Sequence, residues 1–196
     1  MSYKNKLFWV LWVIGMIGIL SLLLLDIPLP EDNKLPPLWI IKLLTLFQQT
    51  VLLSIAVIIK VALAEKVKLS APLAEAIAKK NPLMPVIKPQ ILPGMIGDFI
   101  GDLALVFIAL LWQPFLPSDF VTKSSEISNN LPFITRILFG GITEELLIRW
   151  GLMTLLVWIG WKIFQRGKGQ PQGRYFVMAI LLSSLLFGVG HLPIAF

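Results

Sequence analysis

Apolar residues in this chain fall in long blocks, with neither the two-residue alternation of a strand nor the narrow stripe of a surface helix. The blocks cover residues 7–25, 38–64, 91–116, 133–164 and 175–196. Each is long enough to cross a hydrocarbon core, which takes about 20 apolar residues as a helix. The pattern therefore predicts an all-α, polytopic transmembrane helical bundle of about five spans, forming a single membrane domain over residues 1–196. The first block exceeds a signal-peptide core and meets no small-x-small cleavage site, so it is expected to be retained.

The polar breaks carry the topology. Lys4 and Lys6 precede the first span, and residues 26–37 form an acidic, proline-broken loop that reads as external. Lys42, Gln48, Gln49 and Lys60 interrupt the second span. Lys60 is expected to snorkel to the inner surface, and the glutamines to bond between helices. Residues 65–88 are strongly basic, and within them an inner interfacial helix is predicted at about 71–80. Ser70 would cap it, Glu75 would lie in its early turns and Lys79 and Lys80 at its end, with Leu73, Ile77 and the alanines as its apolar side.

The third span carries Gly97 and Gly101, read as a close-packing face, and Asp98 and Asp102 on the same spacing. Residues 117–131 read as an external loop. The fourth block is too long for one straight span, and Gly140–Gly141 is the expected bend. Residues 166–174 form a basic turn before the last span. Counted over short loops, twelve Lys and Arg residues from Lys4 to Arg174 fall on one side. Lys34, Lys42, Lys123 and Arg136 fall on or near the other. A cytoplasmic N-terminus follows, and with it an integral multi-pass protein of the cytoplasmic membrane whose basic loops meet an anionic inner leaflet.

Composition narrows the classes. Of 196 residues 57% are hydrophobic and 14% charged, and the mean hydropathy is +0.83. A soluble domain of this size would carry about a quarter charged residues. The net charge of +6 lies in inter-span loops, which argues for topology and lipid contact and against a nucleic-acid partner. No cysteine is present, so disulfides, thiolate ligands and a cysteine nucleophile are excluded together.

Against this background Glu144, Glu145 and Arg149 stand out, three ionisable groups inside an apolar run. Each such group at mid-bilayer costs at least about 2.5–3.5 kcal/mol, so the cluster needs a reason. Glu145 and Arg149 are four apart, acid first, the better orientation for a helical ion pair. That leaves Glu144 as the acid without a cation, the candidate general base. At about 1.5 Å per residue, Glu144 stands roughly 27 Å above Lys162, and His191, the single histidine, roughly 26 Å above Arg174. The two are level. By the same rise Asp102 is roughly level with Arg149 and could be its second partner. Gly188 and Gly190 would admit close backbone approach beside His191, and Phe187, one turn below, would wall the pocket.

Glu144-Glu145-x-x-x-Arg149 followed on a later span by Phe187-x-x-x-His191 resembles the first two motifs of the CAAX-prenyl-protease-type intramembrane peptidases, the CAAX protease and bacteriocin-processing family. The resemblance covers residues 134–192. It implies a multi-helix endopeptidase that cleaves a peptide bond in a membrane-embedded protein or peptide with a Glu-activated water. In that reading Glu144 is the general base, and Glu145 and Arg149 orient it. His191 is a ligand for the water, an oxyanion or a metal. Should a divalent metal such as zinc be bound, Glu144 and His191 are the candidate ligands; no other cofactor is implied. The family's third motif, a further histidine on a later span, has no counterpart here, and the apolar end at Phe196 reads as a truncated frame or fragment. Two other classes remain open: a non-catalytic relative, accessory or immunity-like, and a small transporter using Asp98, Asp102 and Glu144.

Overall fold

The computed structural model describes residues 1–25 and 36–191 and, over them, is helical without a strand. The seven helices are α1 (Tyr3–Ser21, continued by a 3₁₀ turn Leu22–Leu24), α2 (Leu38–Val67), α3 (Pro72–Lys79), α4 (Met84–Trp112, continued to Phe115), α5 (Ser118–Asn130), α6 (Phe133–Phe164) and α7 (Gly173–His191). Five of them, α1, α2, α4, α6 and α7, are long and apolar enough to cross a membrane. With that content the chain is an integral multi-pass membrane protein. The external loop expected from residue 26 lies, as far as residue 35, outside the described residues, as does the end of the last span at 192–196.

α1, α2, α6 and α7 form the packed part. In α1 the small residues Gly15, Gly18 and Ser21 make a buried stripe, and α6 lies against it. Thr143 Oγ1 donates to the Gly15 carbonyl at 2.9 Å, and Thr135 Oγ1 to the Ser21 carbonyl at 3.0 Å. A Cβ on Gly18 would run into Thr143 Oγ1 and the Leu138 carbonyl, so only glycine fits this approach. α2 joins α1 through a bond from Trp12 Nε1 to Ser54 Oγ at 3.0 Å and a core of Leu7, Leu11, Ile19, Leu53, Val57 and Leu146. Val67, Val157, Tyr175 and Ala179 close a second core near the basic end, where α7 packs on α6.

α3 crosses the same end and seats Ala74 and Ala78 on the core that α1 lines, which leaves Leu73 and Ile77 exposed. Its N-terminus differs from the sequence reading. Ala71, and not Ser70, is the N-cap, Pro72 occupies the first turn, and the Ala71 N–H donates to Glu75 Oε1 at 2.8 Å. Lys80, in the left-handed conformation at φ 57°, ends the helix by bonding Ile77 O while the Asn81 N–H bonds Ala76 O.

Several other expectations are corrected. Residues 118–130 are helical, because Thr122 and Ser125 return their hydroxyls to the carbonyls of Ser118 and Thr122 and do not break the turn. α4 starts at Met84, with Pro89 and Pro93 inside it. No residue of α4 is buried, and a Cβ at Gly97 or Gly101 would meet nothing within 4 Å, so the glycine face packs on no described element. Gln48 and Gln49 make no interhelical bond among the described residues; Gln49 Oε1 is buried without a partner, and the α1–α2 bonding falls to Ser54 and Thr50. Lys60 does not snorkel. It is 2% exposed, its Nζ donates to the Leu69 carbonyl, and it stands 4.9 Å from the Trp150 ring centroid. The chain folds back after α2 far enough to bring Leu69 to it.

Candidate active site

Glu144 and Glu145 are carried on α6 between two stretches of π-helix, Arg136–Thr143 and Leu146–Leu152. Turns closed by i→i+5 bonds are rare and gather at functional sites, because they widen the helix and redirect side chains. Gly140 and Gly141, expected to form a bend, lie inside the first π stretch. Thr143 anchors it: fully buried and bonded to Gly15, it fixes the rotation of α6 immediately before the acids. Gly15 is roughly 18 Å along α1 from Tyr3 at about 1.5 Å per residue. Glu144 therefore lies inside the apolar length of α6, away from both of its ends.

The residues whose levels match in the sequence are in contact. Glu144 Oε1 lies 3.6 Å from His191 Nε2. Glu145 Oε2 lies 3.1 Å from Arg149 Nε, one turn along the same helix. Beside them opens a cavity of about 540 Å³ lined by Glu144, Glu145, Ile148, Arg149, Ser184 and Phe187 among others. Its walls are mostly apolar, with the ionisable groups converging on one side, the form a ligand site usually takes. Glu144 is the most enclosed of the four, its side chain 24% exposed against 49% for His191.

The histidine is oriented from below. Its Nδ1 is 2.8 Å from the Phe187 carbonyl, which can only accept, so Nδ1 carries the proton and Nε2 faces Glu144. Phe187 also packs against the imidazole, ring centroids 4.2 Å apart and tilted 54°, and lines the cavity. The F-x-x-x-H spacing thus has a local meaning: one turn of helix supplies both the wall and the carbonyl that sets the tautomer.

Other expected contacts are absent. Gly188 and Gly190 have no close neighbour among the described residues, a Cβ at either meeting nothing within 4 Å. Asp102 does not pair with Arg149. It lines, with Asp98, Arg136 and Gly141, a second cavity between α4 and α6, because α4 stands away from the bundle. The zinc reading fails on donors. Zinc centres take three or four protein ligands, and no group of three His, Cys, Asp or Glu able to hold a metal occurs among the described residues. Glu144 and His191 are two donors, and Glu145 is turned to Arg149.

Two contributors escaped the sequence reading. Thr143 and the α1 stripe were signalled by Gly15-x-x-Gly18-x-x-Ser21, small residues at a three-residue spacing. Trp150, next to Arg149, rests under Lys60, and nothing in the sequence pointed to that contact.

Comparison with known proteins gives no match among curated proteins and none among solved structures. A family description does match the part of the chain that carries the site. Residues 127–196, which hold both motifs, fit the model of the Rce1-like family, type II CAAX prenyl endopeptidases, and the resemblance drawn from Glu144-Glu145-x-x-x-Arg149 and Phe187-x-x-x-His191 is borne out at family level over that segment.

Proposed function

We propose that the chain is an intramembrane endopeptidase that hydrolyses a peptide bond in a membrane-embedded protein or peptide, with Glu144 as general base. The observation that carries this reading is the Glu144–His191 contact at 3.6 Å, inside two apolar spans and beside a largely apolar cavity. A water held between Oε1 and Nε2 gives a proton to Glu144 while its oxygen attacks the scissile carbonyl carbon. The tetrahedral oxyanion is stabilised by a donor, a role we assign to the Arg149 guanidinium on the cavity wall. Collapse breaks the C–N bond, and the amine leaves with the proton that Glu144 had taken. Glu145 acts through Arg149, holding the guanidinium against the cavity wall. Phe187 excludes water and orients His191.

The test is cleavage in proteoliposomes of a panel of transmembrane and acyl- or prenyl-modified peptides. Glu144→Ala and His191→Ala should each lower the rate at least about 100-fold, the lower bound for a general acid–base group, with insertion unchanged. A Glu144→Ala chain that still cleaves at the parent rate would remove the assignment. A second reading, a non-catalytic relative that binds such peptides, is favoured by one observation: only one carboxylate and one imidazole face each other among the described residues. Peptide binding without turnover by the parent chain would select it.

A further inference from the structure

A third cavity, also polar, lies where α1 begins, α2 ends and α3 crosses between them, at the end of the bundle that also carries the basic turn before α7. It has a volume of about 290 Å³, and Lys4, Lys60, Lys68 and Lys79 line it together with Glu65 and Glu75. Four ammonium groups thus meet two carboxylates, an excess of two positive charges. Neither carboxylate forms an ion pair with Lys60, Lys68 or Lys79. Glu65 Oε2 is taken by Lys4 Nζ at 3.6 Å, and Glu75 Oε1 by the Ala71 N–H. Lys79 Nζ rests 4.9 Å from the Tyr3 ring centroid. Lys68, the left-handed cap of α2, bonds the Ala64 carbonyl through its backbone N–H, while its ammonium makes no hydrogen bond or ion pair with a described residue.

Lys60 is the observation that asks for a ligand. It is buried, makes no ion pair with a described residue, and spends one donor on the Leu69 carbonyl and its face on Trp150. An ammonium kept in that state is costly unless an anion reaches it. The anion must be small, because the pocket is, and rich in acceptor oxygens, because several N–H donors converge. It must also tolerate an apolar flank, since Leu7, Val61 and Ala64 line the same pocket. Basic pockets between spans at headgroup level meet such anions as lipid phosphates. We propose that this pocket binds the phosphate of an anionic membrane phospholipid, with Lys60 beneath it and the exposed Lys68 and Lys79 over it. The site is separate from the Glu144 cavity and stands whether or not the chain is a peptidase.

The purified chain in zwitterionic detergent can be titrated with dioctanoyl phosphatidylglycerol, dioctanoyl phosphatidylcholine and inorganic phosphate, and bound ligand counted by native mass spectrometry. One phosphatidylglycerol should be retained and phosphatidylcholine should not. Lys68→Gln/Lys79→Gln should weaken binding roughly 30-fold, from about 1 kcal/mol for each lysine at a lipid surface and tenfold for each 1.4 kcal/mol. Lys162→Gln/Lys168→Gln, with the same charge loss elsewhere on this end, should bind as the parent does. Both pairs are surface changes, and a parent-like circular dichroism spectrum checks folding. Equal loss in the two double variants, equal retention of phosphatidylcholine, or saturation by inorganic phosphate with no preference for the lipid would each overturn the assignment.

Discussion

Arg149 and Glu145 show what a charge needs at this depth. The pair is joined at 3.1 Å but not covered by other described elements, with side chains 69% and 41% exposed, so its stability comes from mutual neutralisation and not from burial in protein. Arg149→Gln would leave the Glu145 carboxylate without its cation, and an uncompensated charge at mid-bilayer costs about 2.5–3.5 kcal/mol on insertion scales. The expected outcome is a lower yield of inserted protein and a lower melting temperature in detergent. Glu145→Gln/Arg149→Gln should recover most of both, because it removes the stranded charge along with its partner. If the double variant melts with the single one, the guanidinium matters for contacts other than this carboxylate. The pairing was legible in the sequence because i, i+4 geometry is local. So was the meeting of Glu144 with His191, because helical rise is nearly constant and one short turn joins their spans. The orientation of the imidazole was not legible, since it depends on which carbonyl Nδ1 reaches. Lys60 misled for a similar reason: its place near a helix end suggests an escape to water, and only the returning chain at Leu69 and the Trp150 ring close that route.

Two glycine patterns separate local signal from tertiary fact. Gly15 and Gly18 on α1, and Gly97 and Gly101 on α4, both offer a notch on one helix face. Only the first is filled. At Gly18 a Cβ would meet the Leu138 backbone carbonyl, which has no room to yield, whereas at Gly97 it would meet nothing within 4 Å. Gly18→Ala should therefore destabilise the α1–α6 contact by about 1–3 kcal/mol, the usual range for overpacking. A gain of up to about 1 kcal/mol from replacing a helical glycine offsets part of it. Gly97→Ala lacks the clash and should be neutral or stabilising by about 0.5–1 kcal/mol. Thermal melts of the two variants side by side check this, and a Gly97→Ala loss as large as that of Gly18→Ala would mean that α4 packs more tightly than the structure has it. The Gly18 effect should reach the site, because Thr143, the residue next to Glu144, is bonded in the same notch. The notch could be read from spacing, but which notch receives a neighbour depends on the packing order of the spans, and that is a property of the whole bundle. The π-helical winding on either side of Glu144 and Glu145, where α6 meets α1 and then α2, leaves no sign in the composition.

At the scale of the molecule the antiparallel run of spans gathers like charges. Lys4, Lys6, Lys66, Lys68, Lys79, Lys80, Lys162, Arg166, Lys168 and Arg174 all come to one end, where α1 starts, α2 ends, α3 crosses and the turn between α6 and α7 lies. The other end has Lys42, which donates to the Leu23 carbonyl, and Arg136, whose guanidinium is held by the Leu131 and Ser128 carbonyls. Short loops rich in Lys and Arg stay on the cytoplasmic side, so the basic end is expected to face the cytoplasm. The test is direct because the chain has no cysteine, and a single introduced thiol is labelled without background. Lys80→Cys and Lys168→Cys replace exposed residues at the basic end, and Ser125→Cys an exposed residue of α5 near the other. A membrane-impermeant maleimide added to intact cells should label Ser125→Cys alone, and permeabilisation should add the other two. The opposite pattern would invert the bundle and put the lysine pocket in the outer leaflet. Labelling of all three in intact cells would mean that the five apolar helices do not alternate across one membrane, and the level at which Glu144 meets His191 would then no longer be a depth in the bilayer.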